Sequence, residues 1–168
     1  MAEEIIETSP LARLLRPKTE AKDPRILTTS EIESLLASVR GKTFNDVRDS
    51  AIIRLLVDSG ARRSEIANLR LDELDVENRV ATVTRKGGKR EPGFFGDNTA
   101  HALRRYLRFR RMHKDADSAW LWLGLSGRFT AAGLDQMLER RGIKAGIGHV
   151  NAHTFRHTFT HMMKEKGA

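Results

Sequence analysis

The 168-residue sequence contains no cysteine. That excludes a disulfide framework and any cysteine-ligated zinc site, and it suits a reducing compartment. No apolar run approaches the roughly 18 residues a membrane span requires. The acidic opening MAEEIIE lacks the basic and apolar regions of a signal peptide. A soluble, cytoplasmic protein without a membrane partner is therefore expected. Tyrosine is nearly absent as well: Tyr106 is the only one. No internal repeat and no low-complexity tract is visible.

Charge is abundant and leans to one sign. Lys and Arg number 30 against 22 acids, a net charge of +8. Such a balance favours a polyanion, because each Lys or Arg contact to a phosphate releases a condensed counterion. It does not say which polyanion. The 39% hydrophobic content supplies the core of a single compact domain.

Residues 1–23 read as an arm or linker, punctuated by Pro10 and Pro17 and made basic by Arg13, Arg16, Lys18 and Lys22. Leu11, Leu14 and Leu15 form its apolar stretch, able to dock on the body or lie over DNA. The body spans residues 24–168. Thr28 and Glu31 form a capping-box pattern ahead of Ile32, Leu35, Leu36 and Val39. A second helix is expected from Asn45 to Ser59, closed by Gly60, and a short third one from Ser64. Val80–Thr84 has the alternation of a strand. Lys86-Gly87-Gly88-Lys89 makes a turn, and Phe94-Phe95 falls on the return strand, which Pro92 marks as an edge. A helix follows from Asp97 to about His113, with an exterior of Arg104, Arg105, Arg108, Arg110 and Arg111. Trp120 to Leu123 form an apolar knot. Thr130 caps a helix carrying Leu134, Met137 and Leu138. Asn151 caps the last helix, on which Phe155, Phe159 and Met162 face the core. The expected fold is mainly α with a small antiparallel β-hairpin.

Three places carry candidate chemistry. On the last helix His153 and Arg156 share a face, with His157 close by. A planar guanidinium beside an imidazole suits a phosphate, although a solvated face explains the same spacing. His149, His153, His157 and His161 recur every four residues. A zinc site is nevertheless disfavoured, because His149 precedes the helix, H-E-x-x-H is absent and Arg156 places a positive charge there. In Gly60-Ala61-Arg62-Arg63-Ser64-Glu65 an arginine stands at a helix start, where anions are attracted, and Glu65 can orient Arg62. Lys86 stands at the hairpin tip, able to reach a minor groove or to protonate a leaving oxygen.

Taken together, GARRSEIANLRLDELDV, TRKGGKREPGFFG and NAHTFRHTFTHMMKEKGA, with the opening LTTSEIESLL, resemble the tyrosine recombinase (phage integrase) family in kind and order. The likeness runs from about residue 9 to 168. It implies a recombinase catalytic-domain fold and site-specific DNA strand cleavage and rejoining through a 3′-phosphotyrosine, with double-stranded DNA as partner and a tetramer as the working assembly. Arg62 and Arg156 would clamp the scissile phosphate, His153 would add a hydrogen bond or move a proton, and Lys86 would protonate the departing 5′ oxygen. Glu65 and His157 would support them. Arg63, Lys89, Arg90, Arg104, Arg105 and Arg108 would contact DNA. No cofactor and no metal is called for.

The sequence departs from the family pattern in four places. Arg63 replaces an aliphatic residue, Phe94 stands where a proline is usual, and Ala152 replaces a proline. The stretch that carries the family's nucleophilic tyrosine does not appear in these residues. Tyr106 lies at a structural position, so the expectation is a catalytic domain without its nucleophile, preceded by the tail of a linker from an N-terminal core-binding domain. Such a segment would bind DNA without cutting it. Two rivals stand beside this reading: a non-catalytic DNA-binding module using the basic helix at 103–111, and a type IB topoisomerase.

Overall fold

The computed structural model describes residues 24–85 and 87–167. The linker reading of residues 1–23, with its leucines, lies outside these residues. Among the described residues the chain forms helices α1 (Thr29–Ala37), α2 (Phe44–Ser59) and α3 (Arg63–Ala67), strands β1 (Leu74–Asp75), β2 (Val80–Thr84) and β3 (Arg90–Phe94), and helices α4 (Asp97–Arg110), α5 (Ala131–Lys144) and α6 (Ala152–Glu165). The fold is mainly helical, with one antiparallel sheet in the order β1-β2-β3.

Local chemistry sets the helix starts. Thr28 accepts the Glu31 N–H while Glu31 returns a bond to the Thr28 N–H, and Thr43 and Asp46 repeat the device for α2. Thr130 and Asn151 cap α5 and α6 through their side chains. α4 has no such cap of its own. Asp58, at the end of α2, accepts the Gly96 N–H at 2.8 Å and the Thr99 hydroxyl at 2.7 Å. At the opposite end Phe44 packs on Tyr106, with ring centroids 5.8 Å apart. α2 and α4 are therefore antiparallel neighbours.

The core gathers Ile52, Leu55 and Leu56 of α2, Leu103 and Tyr106 of α4, Leu134 and Leu138 of α5, and Phe155 of α6 around Trp122. Beneath it runs a buried ionic chain. Arg48 bonds Asp49 at 2.7 Å, and Arg141 of α5 bonds Asp49 and Asp46 at 2.7 and 2.8 Å. Thr158 of α6 accepts the Leu27 N–H at 2.9 Å, tying the start of the body to the last helix.

Three expectations are corrected and one strand is added. Arg110 is not part of a basic exterior. It is 3% exposed and donates to the carbonyls of Leu121, Ala116, Ser118 and Trp120, because the loop after α4 folds back over it and needs donors for its backbone. α4 accordingly stops at Arg110, short of His113. Phe159 and Met162 are only part-buried. β1 was not anticipated, since two residues carry no periodicity; it forms by pairing Leu74 with Ala81 and Asp75 with Val80. β3 tolerates Pro92 because it is an edge strand.

Candidate functional site

The site is built where α2 ends. Gly60 takes a left-handed backbone (φ 55°), and the ring of Phe159 from α6 lies over it. A Cβ at Gly60 would stand 2.6 Å from Phe159 Cδ1, so only glycine lets α6 come this close. The approach brings Arg156 to the turn, where its Nη1 donates to the Gly60 carbonyl at 3.0 Å. Two residues on, Arg62 is the residue from which α3 starts. Arg62 and Arg156 thus converge on one three-residue corner although 94 positions separate them.

Glu65 organises Arg62. Its buried carboxylate accepts the Arg62 backbone N–H at 2.8 Å and the guanidinium Nη1 at 2.9 Å. Burial alone would raise its pKa. The Arg62 amide and guanidinium, and then the charge of Arg85, outweigh burial and hold the carboxyl below its ordinary range. The Arg62 side chain remains 51% exposed, so its outward edge is open to an anion.

Arg85 belongs to this corner and was not singled out from sequence. It lines one cleft with Glu65, Ser59 and Arg156. Its Nε lies 2.6 Å from Glu91 Oε2 but points off the line of a directed hydrogen bond, which leaves an ion contact and an unsatisfied N–H. The only sequence signal for it was its place beside Lys86. Lys86 itself lies outside the described residues.

His153 and His157 meet on α6, with Nε2 atoms 2.6 Å apart and rings edge to face at 4.1 Å. One ring must donate and the other accept. His153 is exposed and borders a second cleft with Arg63, Asp135, Glu139 and His149. α6 therefore presents Arg156 to one cleft and His153 to the next.

The remaining cations are dispersed. Arg63 pairs with Asp135 of α5 at 2.5 Å, Lys89 with Glu91 at 3.2 Å and Arg90 with Glu73 at 3.3 Å. Arg104 bonds Glu77 at 3.1 Å. Arg105 donates to the Gly41 carbonyl at 3.1 Å. That carbonyl precedes α2, one helix length of about 24 Å from Gly60. Arg108 is exposed on the same helix. None of the three α4 arginines joins the Arg62 corner.

Tyr106 is fully buried. Its hydroxyl donates to the Leu121 carbonyl at 2.9 Å and accepts the Leu123 N–H at 3.0 Å. Burial pushes its pKa up to about 12, against the opposing pull of the Leu123 amide and the Arg110 and Arg48 charges. Among the described residues no group of three or more His, Asp or Glu is placed to hold a metal ion. No helix among them is long and apolar enough to cross a membrane.

Comparison with known proteins places this geometry. Residues 25–168 match the model of the phage integrase family. The tyrosine recombinase XerC of Haemophilus influenzae (strain PittEE) is 31% identical over 161 residues, covering 95% of this chain and 54% of the relative. XerC of Corynebacterium efficiens is 32% identical over 166 residues, covering 98% and 53%. Among solved structures, XerA recombinase superposes with a TM-score of 0.77 at 28% identity, covering 86% of this chain and 52% of that one. XerH bound to its difH substrate shares the fold, with a TM-score of 0.71 at 24% identity and coverage of 85% and 43%. The chain spans about half the length of the curated relatives it matches.

Proposed function

Because this chain belongs to the phage integrase family of tyrosine recombinases, we propose that it supplies the phosphate-binding part of a catalytic centre for site-specific DNA recombination or integration. The observation that carries the reading is the convergence of Arg62 and Arg156 on the Gly60–Arg62 corner, with Glu65 buried behind Arg62.

In this reading the two guanidinium groups take the non-bridging oxygens of the scissile phosphate. Their charge counts most in the pentacoordinate transition state, where negative charge on those oxygens is greatest. A tyrosine hydroxyl attacks phosphorus, the bond to the 5′ oxygen breaks, and a 3′-phosphotyrosine forms. Lys86 delivers the proton to the departing 5′ oxygen. His153, against His157, hydrogen-bonds the phosphate or moves a proton. Attack by a 5′ hydroxyl on the phosphotyrosine reverses the step, so the bond energy is conserved and rejoining needs no nucleotide triphosphate. Arg63, Lys89 and Arg90 hold the duplex beside the site, Arg104, Arg105 and Arg108 of α4 steer it through their positive field without seating a phosphate, and the whole protein works as a tetramer on two duplexes. XerH, which shares the fold, is bound to its difH substrate, and the Tn1549 transposon integrase, which also shares it, is in complex with transposon right end DNA.

The nucleophile is not Tyr106, which is buried and bonded at both ends of its hydroxyl. These 168 residues by themselves bind duplex DNA and do not cut it. The rival in which α4 alone forms a binding module is weakened by Arg104 and Arg105 being engaged within the fold and by Arg110 being buried. The test is incubation with a labelled nicked duplex followed by denaturing electrophoresis. No covalent adduct should form, and Arg62→Ala or Arg156→Ala should each weaken duplex binding roughly tenfold. An adduct that disappears in Tyr106→Phe would overturn the assignment.

A further inference from the structure

We infer that Arg128, stacked on Trp120, is a second phosphate anchor that holds the DNA strand next to the scissile phosphate. The inference rests on the reading of Arg62 and Arg156 as the seat of that phosphate. Backbone pairing, not proximity in sequence, assembles the anchor. The segment at Trp120 pairs antiparallel with the segment at Arg70, with Leu121 N–H to Leu69 O and Leu71 N–H to Ala119 O both at 2.9 Å. Arg128 returns beside Leu123 across a tight turn, in which Phe129 N–H donates to Trp122 O at 2.9 Å and Gly124 N–H to Gly127 O at 2.8 Å. Gly127 supplies the positive φ of 67° the turn requires.

The guanidinium is held on three sides. Its Cζ lies 3.7 Å from the centroid of the Trp120 ring, within cation–π range. Nη2 donates to the Asn68 side-chain carbonyl and, at 3.4 Å, to the Ala67 carbonyl. Nε is shielded from solvent and has no partner. That leaves Nη1 as the outward donor of a group fixed in orientation. Arg62, Arg63, Arg70 and Arg90 each pair with a carboxylate; among the described residues Arg128 pairs with none. A cation oriented by stacking and not neutralised is suited to an incoming anion.

Position identifies the anion. Arg128, Trp120, Arg70, Asn68 and Thr84 line one cleft with two carboxylates: Glu73, which Arg90 neutralises at 3.3 Å, and Glu65, which also borders the cleft of Arg156 and Arg85. The two clefts share Glu65, the carboxylate bonded to Arg62, so Arg128 stands in the cleft next to the seat of the scissile phosphate, within the proposed reach of a neighbouring phosphate of the same strand. Phosphate contacts of this kind fix register without reading sequence.

The experiment is fluorescence anisotropy of a labelled duplex with this chain across a salt series. The proteins are wild type, Arg128→Ala, Arg128→Lys, Arg62→Ala and, as a control for loss of one charge, Arg40→Ala. Arg40 is exposed in the loop before α2, at the far end of that helix from Gly60. Arg128→Ala should lose roughly tenfold in affinity at the lowest salt and about one unit of salt slope. Arg128→Lys should keep the slope and lose affinity, because an ammonium neither stacks nor forks as a guanidinium does. Should Arg128→Ala fail to fold by near-ultraviolet circular dichroism, the lysine variant decides, and unchanged affinity in it overturns the inference. Wild-type affinity and slope in Arg128→Ala would also overturn it. If Arg62→Ala still weakened binding in that case, the scissile-phosphate reading would stand alone. No salt-dependent duplex binding by the wild type would remove both.

Discussion

Replacing Glu65 by glutamine alters one charge, and almost no volume, behind Arg62. Glu65 accepts two bonds, from the Arg62 backbone N–H at 2.8 Å and from its guanidinium at 2.9 Å. The glutamine carbonyl can keep the first. Its amide NH2 then faces a guanidinium that offers only donors, so the second bond is lost. A hydrogen bond between charged groups contributes about 1.5–3 kcal/mol. Arg62 is half-exposed and water re-solvates it, which places the cost near the lower end, about 1.5–2 kcal/mol. The pH dependence has a definite sign. The carboxyl is held below its ordinary value of 4.5, so its contribution is complete above that pH and is lost as pH falls through the lower folded-state value. Urea unfolding followed by tryptophan fluorescence should show Glu65→Gln less stable than wild type by this amount at neutral pH. The gap should close on acidification below 4.5. A gap under about 0.5 kcal/mol at neutral pH, within the scatter of an ordinary surface substitution, or one that keeps its full size in acid, would refute the reasoning.

Three further outcomes follow from single contacts. Gly60→Ala forces a side chain into left-handed backbone and against the Phe159 ring, and should cost about 2–4 kcal/mol in the same urea assay; a trimmed partner, Phe159→Ala, should soften that cost. Tyr106→Phe strands the Leu123 N–H and should cost about 1–3 kcal/mol. The Tyr106 pKa is raised to about 12, so its share of stability is whole below the ordinary value of 10.0 and lost as pH rises toward 12; the phenylalanine variant should lack that alkaline decline. Arg110→Ala should cost about 3 kcal/mol or more by stranding buried carbonyls, whereas Arg108→Ala on the same helix should stay within about 0.5 kcal/mol.

The contrast between Arg108 and Arg110 shows where sequence legibility ended. Caps and periodicity are local, so the Thr28, Thr130 and Asn151 helix starts and the Val80–Thr84 strand were readable directly. Gly60 was readable as a helix stop, because a left-handed residue after an apolar run has few other uses. The fate of Arg110 depends on a loop that folds back ten residues later, and composition made it look like its solvated neighbours. β1 exists only through its pairing with β2. The same limit applies at the site. Arg62 and Glu65 are three residues apart and their bond could be anticipated, but the contact of Arg156 with Gly60 is tertiary. Arg128 and Trp120 carry no short motif at all, since two backbone bridges bring them to the cleft.

The central claim is that Arg62 and Arg156 bind one phosphate of a DNA strand together. It is tested most directly by following the arginine Nε–Hε resonances of the 15N-labelled chain while a short duplex is titrated in. The Arg62 and Arg156 signals should move together along a single binding curve, with Arg40 unmoved. Movement of only one of them, separate curves for the two, or no movement while the duplex binds elsewhere would contradict the account.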